Sequence, residues 1–164
     1  MELTPAAASW RPRAWLGDLL AAAQLLTRLP LGAVTLPRSQ PPRSHPARCY
    51  PLVGLLVGAL AGLAFFLASW LALPPFIAAI AALATGILVT GALHEDGLAD
   101  VADGFGGGRD RAAKLAIMRD SRIGSYGLLA LVLVLAARGG SLAALAQPTQ
   151  ITTTLLAAHT ISHT

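Results

Sequence analysis

PLVGLLVGALAGLAFFLASWLAL, residues 51–73, carries no charged side chain. A bilayer core is about 30 Å thick and needs about 20 consecutive apolar residues to cross it. This stretch is long enough. Trp70 sits near its end, where interfacial aromatic residues belong. Pro74 and Pro75 then force a turn, and residues 76–93 form a second uncharged run that returns. Gly54, Gly58 and Gly62 repeat at every fourth position of the first run. Such small-xxx-small steps let helices approach closely, although glycine is also simply frequent in membrane helices.

The composition agrees. Hydrophobic residues make up 55% of the 164-residue chain and charged residues 12%. Mean hydropathy is +0.63. Soluble domains carry roughly 25% charged residues, so lipid is the expected solvent. The net charge of +4 does not point to nucleic acid. The basic residues form no stripe interleaved with aromatics; they flank apolar runs, as the positive-inside rule expects. A single cysteine, Cys49, excludes an intramolecular disulfide and any multi-cysteine metal site, and reads as a packing residue.

Outward from residues 51–93 the chain divides by composition. Residues 1–14 are rich in Ala and Pro. Residues 15–29 have helical periodicity but are short for a span, and Asp18, Gln24 and Arg28 interrupt them; an interfacial helix is expected. Asp18 and the lack of a small-residue cleavage site argue against a removable signal. Residues 30–48, with five prolines and Arg38, Arg43 and Arg48, read as an irregular basic loop. A third span is expected over 124–146. Arg138 within it should either face the bundle interior or end the span, and the following Gly139 and Gly140 favour an end. Residues 151–164 begin a run too short to cross. The fold class expected is all-α: a single polytopic transmembrane helical bundle over 1–164, with a loop at 94–123. The basic segments before 51 and at 109–122 lie on one side of the 51–93 hairpin, which the positive-inside rule places in the cytoplasm.

The chemistry concentrates in HEDGLADVADGFGGG, residues 94–108. All acidic residues except Glu2 and Asp18 fall between 95 and 120. Residues three and four apart share a helix face, so Asp96, Asp100 and Asp103 would form one acidic stripe. Carboxylates so close repel, and hard oxygen ligands suit Mg²⁺ or Mn²⁺. A metal there fits transfer of a phosphate-linked group. The plainer reading is a solvated acidic loop paired with its own arginines. His94 is either a ligand or a hydrogen-bond partner, and Mg²⁺ disfavours imidazole. Gly104, Gly106, Gly107 and Gly108 either present backbone N–H groups to phosphate or form a flexible connector.

A second polar string, IMRDSRIGSYG, occupies residues 117–127. Arg119 and Arg122 are spaced to project together, and guanidinium forks match phosphate oxygens. Ile117 and Met118 read as packing residues.

With LLTRLP at 25–30, YPLVG at 50–54 and these two strings, the chain closely resembles the cobalamin synthases (adenosylcobinamide-GDP ribazoletransferases) from about residue 18 to its end. The resemblance implies a Mg²⁺-dependent, multi-pass enzyme of the bacterial inner membrane acting late in cobalamin assembly. Its substrates would be adenosylcobinamide-GDP and α-ribazole or α-ribazole 5′-phosphate. The ribazole hydroxyl attacks the phosphate attached to cobinamide, and GMP leaves. Carried onto this chain, Glu95, Asp96, Asp100 and Asp103 would hold Mg²⁺ against the diphosphate. One of them or Asp120 would act as base, while Arg119, Ser121 and Arg122 would hold phosphate. The stripe also resembles the acidic motif of CDP-alcohol phosphotransferases, but their arginine after the alanine is missing: Asp100 follows Ala99.

Members of this family are usually longer, and the last eight residues, AAHTISHT, look like the start of a further helix cut short. Three rivals stand beside the leading reading: another membrane phosphotransferase with an alcohol acceptor, a cation-binding or transport protein, and an inactive truncated paralogue. Nucleotide dependence separates the enzymes from the transporter.

Overall fold

The computed structural model describes residues 12–30, 46–145 and 147–163. Most of the basic loop expected at 30–48 lies outside the described residues. Seven α-helices follow in order: α1 (Pro12–Leu26), α2 (Tyr50–Trp70) preceded by a 3₁₀ turn (Pro46–Cys49), α3 (Pro75–Thr90), α4 (Leu93–Gly107), α5 (Arg111–Met118), α6 (Ser125–Ala144) and α7 (Pro148–Ser162). The fold class is all-α, as expected.

Pro46–Trp70 and Ser125–Ala144 are each long and apolar enough to cross a membrane. The helix pair α3 and α4, bent by 89°, makes a third candidate if taken as one broken span. The runs expected at 51–73 and 124–146 fall on α2 and α6, and the run at 76–93 falls on α3, which qualifies only together with α4. Proline near the start of α2 and of α3 sits where a missing N–H costs nothing. Leu56, Leu63, Phe66 and Leu67 on α2 and Leu128, Leu129, Val132 and Leu133 on α6 lie exposed. Each large apolar side chain left in water forfeits about 1.5–3 kcal/mol, so such a surface suits acyl chains.

The glycine seam of α2 receives α7, and this is the most extensive helix pairing among the described residues. A Cβ on Gly54 would overlap the His159 carbonyl, one on Gly58 would lie 2.8 Å from the Leu155 oxygen, and one on Gly62 would lie 3.0 Å from Thr152 Cγ2. The expected close packing is thus realised, and its partner is the apolar run at the end of the sequence. One core of Ala61, Phe65, Ala79, Ala82, Leu83, Leu142, Ile151 and Leu155 joins α2, α3, α6 and α7. A second, of Ala22, Leu26, Cys49, Val53 and Val57, docks α1, and Cys49 is the packing residue expected. Asp18 is buried there and ion-paired with Arg48, whose guanidinium lies 4.1 Å above the Trp15 ring centroid.

Two expectations are corrected. Residues 94–123 are not a loop: they form α4 and α5, joined and followed by short turns. Arg138 does not end its span. α6 continues to Ala144, and Gly139 is buried within it, facing Phe76 and Leu83 of α3.

Candidate active site

The bend before the acidic helix is built from two left-handed residues, Gly91 (φ +66°) and Ala92 (φ +62°). The Ala92 N–H donates to the Ile87 carbonyl at 2.8 Å and the Gly91 N–H to that of Leu88 at 3.3 Å. This pairing satisfies the last carbonyls of α3. The left-handed alanine costs about 1 kcal/mol, while glycine takes the position freely. Gly91 has a second reason to lack a side chain: the stem of Arg28 occupies the place of its Cβ. The Arg28 N–H donates to the Val89 carbonyl at 2.8 Å. A guanidinium is thereby anchored beside the start of α4, a placement that LLTRLP alone did not reveal.

Along α4 the four acids meet different fates. Glu95 pairs with Arg138 of α6 at 3.2 Å, its side chain only 14% exposed. Asp103 is buried and accepts the N–H of Gly124 at 2.7 Å and of Gly127 at 2.8 Å. It satisfies two of the free donors at the α6 N-terminus and places negative charge at the positive end of that helix. A Cβ on Gly124 or Gly127 would strike its carboxylate, so the glycines of RIGSYG admit it. Asp96 is exposed and Asp100 half-buried. Neither makes a hydrogen bond or ion pair through its carboxylate among the described residues. The three-acid stripe is therefore divided by what faces it: Asp103 turns to α6, and Asp96 and Asp100 remain open, one helical turn apart. Among the described residues, no three His, Cys, Asp or Glu side chains converge closely enough to share a metal ion. Two unclaimed carboxylates nevertheless fit the donor set that Mg²⁺ takes when substrate phosphates complete its shell.

The glycines after the stripe form neither a phosphate cradle nor a flexible connector. α4 runs through them to Gly107, and they admit close neighbours. The Tyr126 ring occupies the Cβ position of Gly106, and Met118 Cγ would lie 2.8 Å from a Cβ on Gly104. Asp110 caps α5, accepting the Ala113 N–H at 2.8 Å.

The helical spacing expected of Arg119 and Arg122 is not realised. The chain between α5 and α6 is non-helical, so helical spacing does not apply. Arg122 is held by Asp120, donating from Nη2 at 2.6 Å and from Nε at 3.0 Å. Those side-chain hydrogen bonds lower the Asp120 pKa to about 2, which makes it a poor base. Arg119 and Ser121 are exposed and make no side-chain hydrogen bond or ion pair among the described residues.

His94 lies away from the two open carboxylates, its ring edge-on to His163 with centroids 4.9 Å apart. His163 Nδ1 lies 2.7 Å from the His159 carbonyl, a spacing that suits N–H donation, and its buried Nε2 has no partner among the described residues. His94, Glu95, Arg138 and His159 border a cavity between α3, α6 and α7. Sequence reasoning missed this grouping. Its signals were a lone arginine in an apolar run and histidines in another, both widely separated from the acidic string.

Residues 18–164 match the family described as Cobalamin-5-phosphate synthase. The chain is similar to an adenosylcobinamide-GDP ribazoletransferase of Bradyrhizobium diazoefficiens, with 50% identity over 88% of this chain and 55% of the relative. One of Mesorhizobium japonicum is 45% identical over 92% of this chain and 58% of the relative. One of Shewanella frigidimarina is 52% identical over 71% and 45%. No solved structure matches. The chain spans about half the length of the curated relatives it matches. It belongs to the cobalamin-5-phosphate synthase family.

Proposed function

We propose that this chain carries the metal and diphosphate site of an adenosylcobinamide-GDP ribazoletransferase, which makes the phosphodiester of cobalamin late in its biosynthesis. The reading rests on one observation above the others: in a chain of this family, the acidic string is a helix on which, among the described residues, Asp96 and Asp100 alone of its acids keep their oxygens free. The hydroxyl of α-ribazole, or of its 5′-phosphate, attacks the phosphorus attached to cobinamide, the bond to GMP breaks, and the hydroxyl proton passes to a base.

Asp96 and Asp100 would hold Mg²⁺, which when bound supplies charge neutralisation of the diphosphate. The chain's own residues do the rest. Asp103 fixes α6 against α4, and the Glu95–Arg138 pair holds the other end of the same contact. Asp120 serves the turn that carries Arg122. The base is then one of the two open acids, Asp96 or Asp100. Arg28 and Arg119, neither of them ion-paired with a described residue, supply guanidinium groups for phosphate. Cytoplasmic placement of α4 and α5 in a bacterial inner membrane follows from the cations Arg109, Arg111, Lys114, Arg119 and Arg122 by the positive-inside rule.

The test is GMP release by the chain in lipid nanodiscs from adenosylcobinamide-GDP, with and without α-ribazole and Mg²⁺. Release is expected only with both. Asp96→Asn and Asp100→Asn should each lower it by at least about 100-fold, in the range of lost transition-state charge stabilisation, with insertion unchanged. Full activity in both variants would remove the metal assignment. Ion binding without any nucleotide dependence would favour the transporter.

A further inference from the structure

The cavity between α3, α6 and α7 has a volume of about 240 Å³. Leu83 and Ile87 of α3 and Ala158 of α7 give it apolar walls, and Gly86 widens it. Its polar end holds His94, His159 and the Glu95–Arg138 pair. Resting on the transferase reading, we propose that this cavity seats the heterocyclic base of the acceptor nucleoside, a flat, uncharged fused ring.

Size, charge and two unengaged imidazoles support this occupant. Pockets for drug-sized ligands run from about 300 to 1,000 Å³, so this one admits a single ring system and not a whole nucleotide. Arg138 is already neutralised by Glu95 at 3.2 Å. The wall therefore offers no free positive charge to a phosphate, and an anionic group is better placed outside. The side-chain nitrogens of His94 and His159 make no hydrogen bond with a described residue, and are free to meet a ring nitrogen. His94 already presents its ring edge-on to His163, an arrangement that aromatic rings favour. Glu95 and His94 bring α4 to the polar end of the cavity, on the same helix that carries the open carboxylates.

The test is equilibrium dialysis of α-ribazole against the chain in nanodiscs, which needs no turnover. The free base should compete with α-ribazole on the wild-type chain, and ribose 5-phosphate should not. Gly86→Leu and Ala158→Leu fill the cavity. Each is expected to weaken α-ribazole binding tenfold or more while adenosylcobinamide-GDP binding changes less than twofold. A methyl at Gly86 would lie 3.4 Å from His159 Cε1, an ordinary contact, so Gly86→Ala should bind α-ribazole nearly as the wild type does and controls for folding. Undiminished α-ribazole binding in both filled variants overturns the proposal. So does competition by ribose 5-phosphate without competition by the base. Absence of GMP release from a wild-type chain that binds α-ribazole in this pattern would count against the transferase reading and leave the cavity assignment standing.

Discussion

Replacing Asp103 separates a structural carboxylate from a metal ligand. Its two oxygens accept backbone N–H groups of Gly124 and Gly127 at 2.8 Å or less. Hydrogen bonds to a charged group contribute about 1.5–3 kcal/mol each. The same two bonds are also the helix cap and the dipole interaction, so those contributions are not added again. Losing both bonds in Asp103→Ala should cost about 3 kcal/mol locally, since water reaching the freed N–H groups recovers part of the sum. That is about two powers of ten in the opening equilibrium of the first turn of α6. Asp103→Asn keeps one acceptor oxygen and should lose about half as much, roughly tenfold. Hydrogen exchange at the Gly124, Gly127 and Leu128 amides in nanodiscs reads this directly. Asp96→Asn should leave the same amides unchanged. If Asp103→Ala kept wild-type protection and yet abolished Mg²⁺-dependent GMP release, Asp103 would be a ligand and not a cap.

Three further outcomes are expected. Gly58→Val places a side chain against the Leu155 carbonyl, where a Cβ already lies at 2.8 Å; overpacking of this kind costs about 1–3 kcal/mol, so thermal unfolding should come earlier. Gly62→Ala, which meets the Thr152 side chain, should cost less. The double variant Glu95→Gln/Arg138→Gln should be destabilised by less than the sum of the two single variants, with a coupling of about 0.5–3 kcal/mol in a double-mutant cycle; strict additivity would show the pair contributes nothing. The Asp120 carboxylate has its pKa lowered to about 2, so its contribution to the 119–124 turn is full above about pH 4 and fades as pH falls toward 2; the protection factor of the Arg122 amide, taken relative to intrinsic exchange at each pH, should fall over that interval and stay constant between pH 5 and 8.

The spans were legible because they depend on composition over a long window. Residues 51–73 carry no charge, and no tertiary partner is needed to know that such a helix seeks lipid. The glycines of α2 were legible as a seam but not as to partner. The helix they receive, α7, was read only as too short to cross a bilayer, and length alone says nothing about docking. Arg138 misled because two glycines followed it. A glycine costs a helix interior about 1 kcal/mol, too little by itself to end the 20-residue α6.

The acidic string shows most clearly why residue type and spacing stop short of role. Period alone places Asp96, Asp100 and Asp103 on one face, and one face suggests one site. Each acid's chemistry is set by what stands opposite. For Asp103 it is the start of a helix 21 and 24 residues later. For Glu95 it is a guanidinium 43 residues later. Those partners could not be inferred from the local string, although the glycines at 124 and 127 and the arginine at 138 were all visible as oddities of their own segments. Two N–H groups fill only part of the acceptor capacity of a carboxylate, but taking Asp103 away from them would leave helix donors unpaired at about 1–3 kcal/mol each. Asp96 and Asp100 are the acids left with nothing opposite them among the described residues, while Glu95 and Asp103 hold α4 against α6.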